Sequence, residues 1–586
     1  MPADCPRPLG SRLLHRSCPL VVITLIAACG ARDTTAGGAP PATWAAHYPV
    51  TVATADSAMV VSAAPLATQA GVDVLKSGGN AIDAAVTVAF TLSVVYPTAG
   101  NLGGGGFIVA RMGNESAALD FRETAPAAAT RDMFLDAKGN VTDRSEIGAL
   151  AAGVPGSVAG LYEAHGKYGS KPWRDLLQPA IALAEGGFTT DSAFIEDLHG
   201  DSAKLARFPS SAALFTAHGR MIAPAAHWAN PALAATLRRI AEKGRDGFYT
   251  GTSADLVVAE MQRSGGIISR DDLKQYQAKW RDPVEFTYRG HKIISMPPAS
   301  SGGLTVALMA NILGGYDLHA MGFHSASAMH TIAEAERIAF ERRNRLLADP
   351  DFVPVNRASF LSSDTAAVLR GTIGPRAFAG PSNSVGGDTG RHTTHFSIVD
   401  AKGNAVAMTT TLNEGHGSGV TVTGAGFLLN DEMDDFTTKP GTVNAMGLRQ
   451  WEANAIQPGK RMLSSMTPTI VLDSSGRAML VTGASGGARI ITGVTQLILN
   501  VIDYGLPLGE AMGAPRFHAQ DYPDSLLLEP GGYGDPLVRA LAGLGHHPTW
   551  SATDRYDFAV VQSILRVNGR WQGVSEPRLH GLARGY

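Results

Sequence analysis

Apolar and polar positions change rhythm several times along the chain, and each change predicts an element. "SAMVVSAAP" (57–65) reads as a strand. Pro65 opens a helix predicted to run to Ser77, where Gly78-Gly79 stop it. Asn80 is a good N-cap for a second helix, with Asp83 at N3 near the positive end of its dipole. The following "AAVTVAFTLSVVYP" is apolar on every side; Asp83 and the short length favour a helix buried in a core over a membrane span. "FIVARM" (107–112) reads as a strand, and the four glycines before it let that strand start against a helix or a substrate. The same "GNLGGGGF" lacks the Lys-Ser/Thr ending of a P-loop and the spacing of a dinucleotide fingerprint. From about 155 to 360 helical patterns dominate; the last third alternates strands and turns, with helices near 490–515. Adjacent antiparallel strands with helices in separate blocks predict sheets covered by helices, an α+β fold or layered αββα sandwich.

One hairpin can be read to the residue. "THFSIV" alternates, with Phe396 and Ile398 on one face and His395 and Ser397 on the other. "DAKGN" (400–404) is a five-residue turn, and "AVAMTTTLN" returns. If Val399 pairs with Ala405, Thr411 lies opposite Thr393 on the same face; a bulge would shift this by one. The strand begins abruptly after Gly380–His392, a stretch with four Gly, a Pro and two Ser.

Composition narrows the function. The 586 residues carry a formal charge of −3, so there is no basic footprint for nucleic acid. All three cysteines, Cys5, Cys18 and Cys29, lie in the first thirty residues, which leaves the body without a thiolate nucleophile or a Cys-based metal site. Arg7, Arg12 and Arg16 precede the apolar "PLVVITLIAA", as in a secretion signal too short to span a bilayer. "LIAAC" resembles a bacterial lipobox, which predicts a signal peptide over 1–28, a lipid on Cys29 and a flexible tether over 29–49. The 17 His are scattered, and "GHH" at 545–547 lacks zinc-ligand spacing, so neither metal nor cofactor is expected.

A threonine hydroxyl needs a base before it can act as a nucleophile, and no Asp-His pair identifies one. A free N-terminal amine serves the residue that carries it. Cutting between His392 and Thr393 would create that amine, with Thr411 placed to orient the hydroxyl. "TTHFSIVDAKGNAVAMTTTLN", "LLNDEMDDF", "KRMLSSMTPTIV", "GASGGARIITGV" and "DFRETAPAAATRDMFLD" together resemble the γ-glutamyltranspeptidases (glutathione hydrolases), N-terminal-nucleophile hydrolases with an αββα sandwich. The resemblance runs from about Val50 to Tyr586. It implies self-cleavage before Thr393 into a large subunit over 50–392 and a small one over 393–586, which stay associated.

The resemblance also implies roles. Thr393 attacks the γ-amide carbonyl and Thr411 hydrogen-bonds to it, while the N–H groups of Gly486 and Gly487 stabilise the oxyanion. Arg122 would clamp the donor's α-carboxylate, with hydroxyls from Ser464 and Ser465. Asp435 with Glu432 would meet the α-ammonium, and Asn413 would add a hydrogen bond. Glutathione and other γ-glutamyl compounds would be donors; water, amino acids or dipeptides would be acceptors. An enzyme in the bacterial periplasm or cell envelope is expected, touching a membrane only through its lipid. Two departures stand out: Glu414 and His416 are expected to alter the outer pocket, and Met446 sits in the lid segment (440–454) where some members have a gating Tyr. Three rivals stay open. One is a glutaryl or cephalosporin acylase of the same fold. Another is a serine α/β-hydrolase built on Ser485 in "GASGG", with His518, His546 or His547 as base. The third is a secreted binding protein that has lost activity.

Overall fold

A computed structural model describes residues 48–217, 220–380, 393–552 and 558–586, the side chain of Ala217 excepted. Cys29, the signal and lipobox, most of the tether, and His392 with the run before it lie outside the described residues.

Two antiparallel sheets stack face to face. The seven-stranded sheet runs in the order Leu582–Gly585, Met59–Ser62, Thr393–Val399, Ala405–Thr411, Gly105–Met112, Glu115–Asp120, Lys279–Arg281. The eight-stranded sheet runs Ala53–Ala55, Arg570–Ser575, Val560–Val567, Ala478–Thr482, Thr469–Leu472, His291–Ser295, Val284–Tyr288, with Ala484–Ser485 also paired to Val560–Val567. Both sheets combine strands from before and after position 393, so that point is no boundary in space.

Alternation along the strands builds the layers. Val60, Ile108, Phe396, Ile398, Val406 and Met408 pack against the helices Pro65–Lys76 and Ala81–Val95. Their neighbours Met59, Val61, Phe107, Val109, Val399, Ala405 and Ala407 face the other sheet, behind which lie the helices Gly302–Leu313 and Arg489–Ile502. This is the αββα sandwich expected from the sequence. Slipping the Thr393–Val399 strand by one residue would exchange the two faces and expel Phe396 and Ile398 from the helix layer, at about 1.5–3 kcal/mol for each large side chain. The register is therefore firmly held. Val399 pairs with Ala405 and Thr393 with Thr411, as the hairpin arithmetic requires.

The first helices also form as read. Pro65–Lys76 ends at Ser77 before Gly78 at φ 88°, and Asn80 caps Ala81–Val95 in a capping box with Asp83. The four glycines before the next strand serve close approach: a Cβ at Gly103 would overlap the carbonyl oxygen of Leu428, and one at Gly104 that of Thr411. Helices dominate 155–360 as read, and strands join them: Lys279–Arg281 ends the seven-stranded sheet, while Val284–Tyr288 and His291–Ser295 form a hairpin that closes one edge of the eight-stranded sheet.

Candidate active site

The site lies where the Thr393–Val399 and Ala405–Thr411 strands end, at the edge of the inter-sheet space. Both threonines are buried, and the Thr393 hydroxyl donates to Thr411 Oγ1 at 3.1 Å. Thr411 Oγ1 also accepts from the Asn413 backbone N–H at 2.8 Å. Asn413 reaches that position with φ at 81°, a left-handed conformation that asparagine tolerates better than most residues.

His395 is the nearest histidine along the strand, and it is not a base for Thr393. One ring nitrogen bonds Thr409 Oγ1 at 2.8 Å and the other Ser397 Oγ at 3.1 Å. Burial pushes its pKa down to about 3, so the ring is neutral. It fills the inter-sheet space against Gly483, where a Cβ would overlap it.

Thr393, Thr411, Asn413, Arg122, Asp435, Ser464, Ser465 and Gly487 line one pocket, together with the lid residues Met446 and Leu448. The predicted constellation thus converges from five separate stretches of chain. Glu432 stands behind the wall, on the short 3-10 turn Glu432–Asp435. Arg122, which taken alone would pass for a surface ion pair, is 1% exposed. Its Nη1 lies 2.5 Å from Glu432 Oε2 and 3.5 Å from Glu123 Oε2, and its Nη2 pairs with Asp435. Burial opposes the charge on Arg122, but Glu432, Asp435 and Glu123 outweigh it and keep the guanidinium protonated. Three carboxylates share that single cation. Burial accordingly raises the pKa of each, with Arg122 pulling back. The fork expected to clamp a ligand carboxylate is already engaged on both sides, so a ligand reaching Arg122 shares it.

At the far side the Ala484–Ser485 strand turns through Gly486 (φ 128°) and Gly487 (φ 56°) into the helix Arg489–Ile502. Neither glycine N–H finds an acceptor among the described residues, and both sit at the positive end of a helix. Such a pair suits an oxyanion. The strand–turn–helix around Ser485 has the outline of a nucleophile elbow, but its supposed bases are occupied elsewhere. His518 bonds Thr492 and Gln520, His546 bonds His330, and His547 faces Asp524 at 3.7 Å.

The lid segment closes over this end. Met446 Sδ would lie 2.8 Å from a Cβ on Gly487, Asn444 Nδ2 donates to Asp435 Oδ1 at 3.3 Å, and the Ala445 N–H donates to Asp434 Oδ2 at 3.0 Å. The expectation for Glu414 and His416 is not met. His416 Nδ1 pairs with Asp201 at 2.8 Å and Glu414 lies 3.7 Å from Lys204, because the left-handed turn at Asn413 and His416 carries both away from the pocket. Sequence reading missed Glu123, Asp434, Asn444 and Arg343. The first three stand beside or within quoted motifs, whereas Arg343 lies in a charged helix with no local signal.

Comparison with known proteins agrees with this geometry. The gamma-glutamyltranspeptidase family model matches residues 67–586. A glutathione hydrolase proenzyme of Pseudomonas sp. (strain A14) is 45% identical over 546 residues, 91% of this chain and 95% of its own. Among solved structures, a cephalosporin acylase from Bacillus halodurans has a TM-score of 0.81 at 28% identity, covering 92% of this chain and 98% of its own. The gamma-glutamyltranspeptidase of Helicobacter pylori, 43% identical with a TM-score of 0.53, covers 54% of this chain and 91% of its own. The N-terminal-nucleophile hydrolase fold is borne out, and the acylase is the more distant relative. With the matched span taking in Thr393, Thr411 and every charged residue of the pocket, the chain belongs to the gamma-glutamyltranspeptidase family.

Proposed function

We propose that this chain is a self-cleaving γ-glutamyltransferase and glutathione hydrolase whose nucleophile is Thr393. The observation that carries the reading is the bond between the Thr393 and Thr411 hydroxyls, at the first residue of a strand and in the wall of the Arg122–Asp435 pocket. In the uncut chain the Thr393 nitrogen is an amide and has no basicity. Cleavage after His392 turns it into an amine with a pKa of about 7.7–8.0, partly neutral near pH 7. That amine takes the hydroxyl proton as Oγ1 attacks the γ-carbonyl carbon. The oxyanion faces the N–H groups of Gly486 and Gly487. The amide C–N bond then breaks, the proton passes to the leaving amine, and a γ-glutamyl ester is left on Thr393. Water or an acceptor amine attacks the ester and restores the hydroxyl.

Head-group recognition follows the charges. The α-ammonium meets Asp435, backed by Glu432, and the α-carboxylate meets Ser464, Ser465 and the shared Arg122, with Asn413 adding a hydrogen bond. A glutaryl donor lacks the ammonium and would leave the surplus carboxylates uncompensated, which favours the glutamyl reading over the acylase one. Interleaved strands from 50–392 and 393–586 support two subunits that stay together after cleavage. The lipobox-like N-terminus supports a lipid on Cys29 and a place on an envelope membrane; a large subunit isolated lipid-free would contradict that location.

The deciding experiment compares Thr393→Ala with Ser485→Ala on γ-glutamyl and glutaryl anilides. Thr393→Ala leaves an uncut, inactive chain, Ser485→Ala is nearly silent, and the glutamyl donor is preferred. Normal activity in Thr393→Ala or preference for the glutaryl donor overturns the reading.

A further inference from the structure

Outside the Arg122 network, a second arginine is buried beside the pocket. Arg343, on the helix Ala326–Leu346, is fully buried. Its Nε donates to Ser301 Oγ at 2.9 Å, Nη1 to Asn344 Oδ1 at 2.7 Å, and Nη2 to Ser465 Oγ at 3.0 Å. Every acceptor is neutral, and Arg343 forms no ion pair among the described residues. Asp435 and Asp521 act on it only at longer range. Burial lowers its pKa to about 10, which still leaves it a cation near neutral pH. A buried guanidinium without a carboxylate is costly, and folds keep one only where something offsets it.

Its position says what the offset is. Ser301 holds the Ser464 carbonyl through both its hydroxyl, at 2.6 Å, and its N–H, at 2.8 Å, so Arg343 braces the whole Ser464–Ser465 segment. Because Arg343 donates to Ser465 Oγ, the Ser465 proton must point elsewhere, and Ser465 lines the pocket. A hydroxyl that accepts from a cation is a stronger donor to an anion. The pocket therefore has surplus carboxylate on the Asp435 side and surplus positive charge behind Ser465. We propose that Arg343 is a positioning and specificity-determining residue, which through Ser465 supplies the charge that selects donors bearing an α-carboxylate. It touches no reacting atom. The inference rests on reading the pocket as a γ-glutamyl site.

The test uses the purified, cleaved enzyme and two donors: γ-glutamyl-p-nitroanilide and 4-aminobutanoyl-p-nitroanilide, which keeps the amine and γ-carbonyl but lacks the α-carboxylate. Arg343→Gln is expected to raise KM for the glutamyl donor by about tenfold or more, with kcat within about threefold. The kcat/KM of the decarboxy donor stays close to wild type, so the preference for the carboxylate shrinks. Parallel losses on both donors, or an unchanged preference, would make Arg343 a packing residue and overturn the proposal. Where Arg343→Gln does not accumulate as folded enzyme, Arg343→Lys carries the same test. Its ammonium keeps the charge but cannot reach Ser301, Asn344 and Ser465 together, so the preference falls partway; equal loss on both donors again overturns the proposal. Wild-type enzyme that fails to use the glutamyl donor at all would instead sink the reading of the pocket itself.

Discussion

The Arg122 network at the pocket and the Arg516–Arg578 network near the C-terminus are both buried, and both join arginines to glutamates. In the second, Arg516 pairs with Glu576 at 2.8 Å, and Arg578 pairs with Glu576 at 2.7 Å and with Glu529. Two cations meet two carboxylates, and backbone N–H groups of Arg516 and Val561 complete the acceptors at 2.7 and 2.8 Å. Burial opposes the charge on Glu576, yet Arg516 and Arg578 outweigh it and its pKa falls. At the pocket, three carboxylates share Arg122 and their pKa values rise. Balance holds structure together, whereas imbalance in a cleft waits for a ligand's charge.

Breaking the balanced network should have the largest effect on stability. Arg578→Ala leaves Glu529 buried without its cation and Glu576 with one fewer, at about 3–5 kcal/mol. Denaturant unfolding should show a much lower midpoint, while kcat per folded molecule stays that of wild type; an unchanged midpoint would break the comparison. Asp435→Asn should do the reverse. It removes surplus negative charge, so the unfolding midpoint should not fall, but the donor ammonium loses its partner. A charged hydrogen bond worth about 1.5–3 kcal/mol predicts a ten- to hundred-fold loss in kcat/KM for γ-glutamyl donors. A destabilised variant with normal kinetics would assign Asp435 to structure.

The smallest effect tests the lid. Burial, with the charge of Glu146, pushes the pKa of Asp434 up to about 7, against the pull of Ser145 and the Ala445 N–H. Because this folded-state value lies above the ordinary carboxylate range, the native protein binds more protons than the unfolded chain between roughly pH 4 and 7. The Asp434 contribution to stability therefore declines as pH rises through that window and levels off above it. Asp434→Asn removes the titration, so the melting-temperature difference, variant minus wild type, should grow from about pH 4 to 7. A difference flat in pH would place the titration elsewhere.

The same contrast explains what could be read from the sequence. The Thr393–Thr411 hairpin was legible because period-two alternation and a short turn are local signals that fix register. Arg122, Asp435, Ser464 and Gly487 were legible only as a joint resemblance, since each is unremarkable alone. The Val284–Tyr288 and His291–Ser295 hairpin hid in a helix-rich stretch, although Arg289 and Gly290, at φ 48° and 83°, mark its turn. Arg343 left no local signal. A helix rich in glutamate and arginine reads as a solvated surface, and only the non-local approach of Ser301 and Ser465 buries its guanidinium.

The central claim is that Thr393 becomes an N-terminal nucleophile by self-cleavage, and intact-mass measurement with N-terminal sequencing of the purified, active protein tests it most directly. Two associated chains are expected, the smaller beginning at Thr393, and Thr393→Ala should give one uncut, inactive chain. Full activity in an enzyme that runs as a single uncut chain would contradict the account.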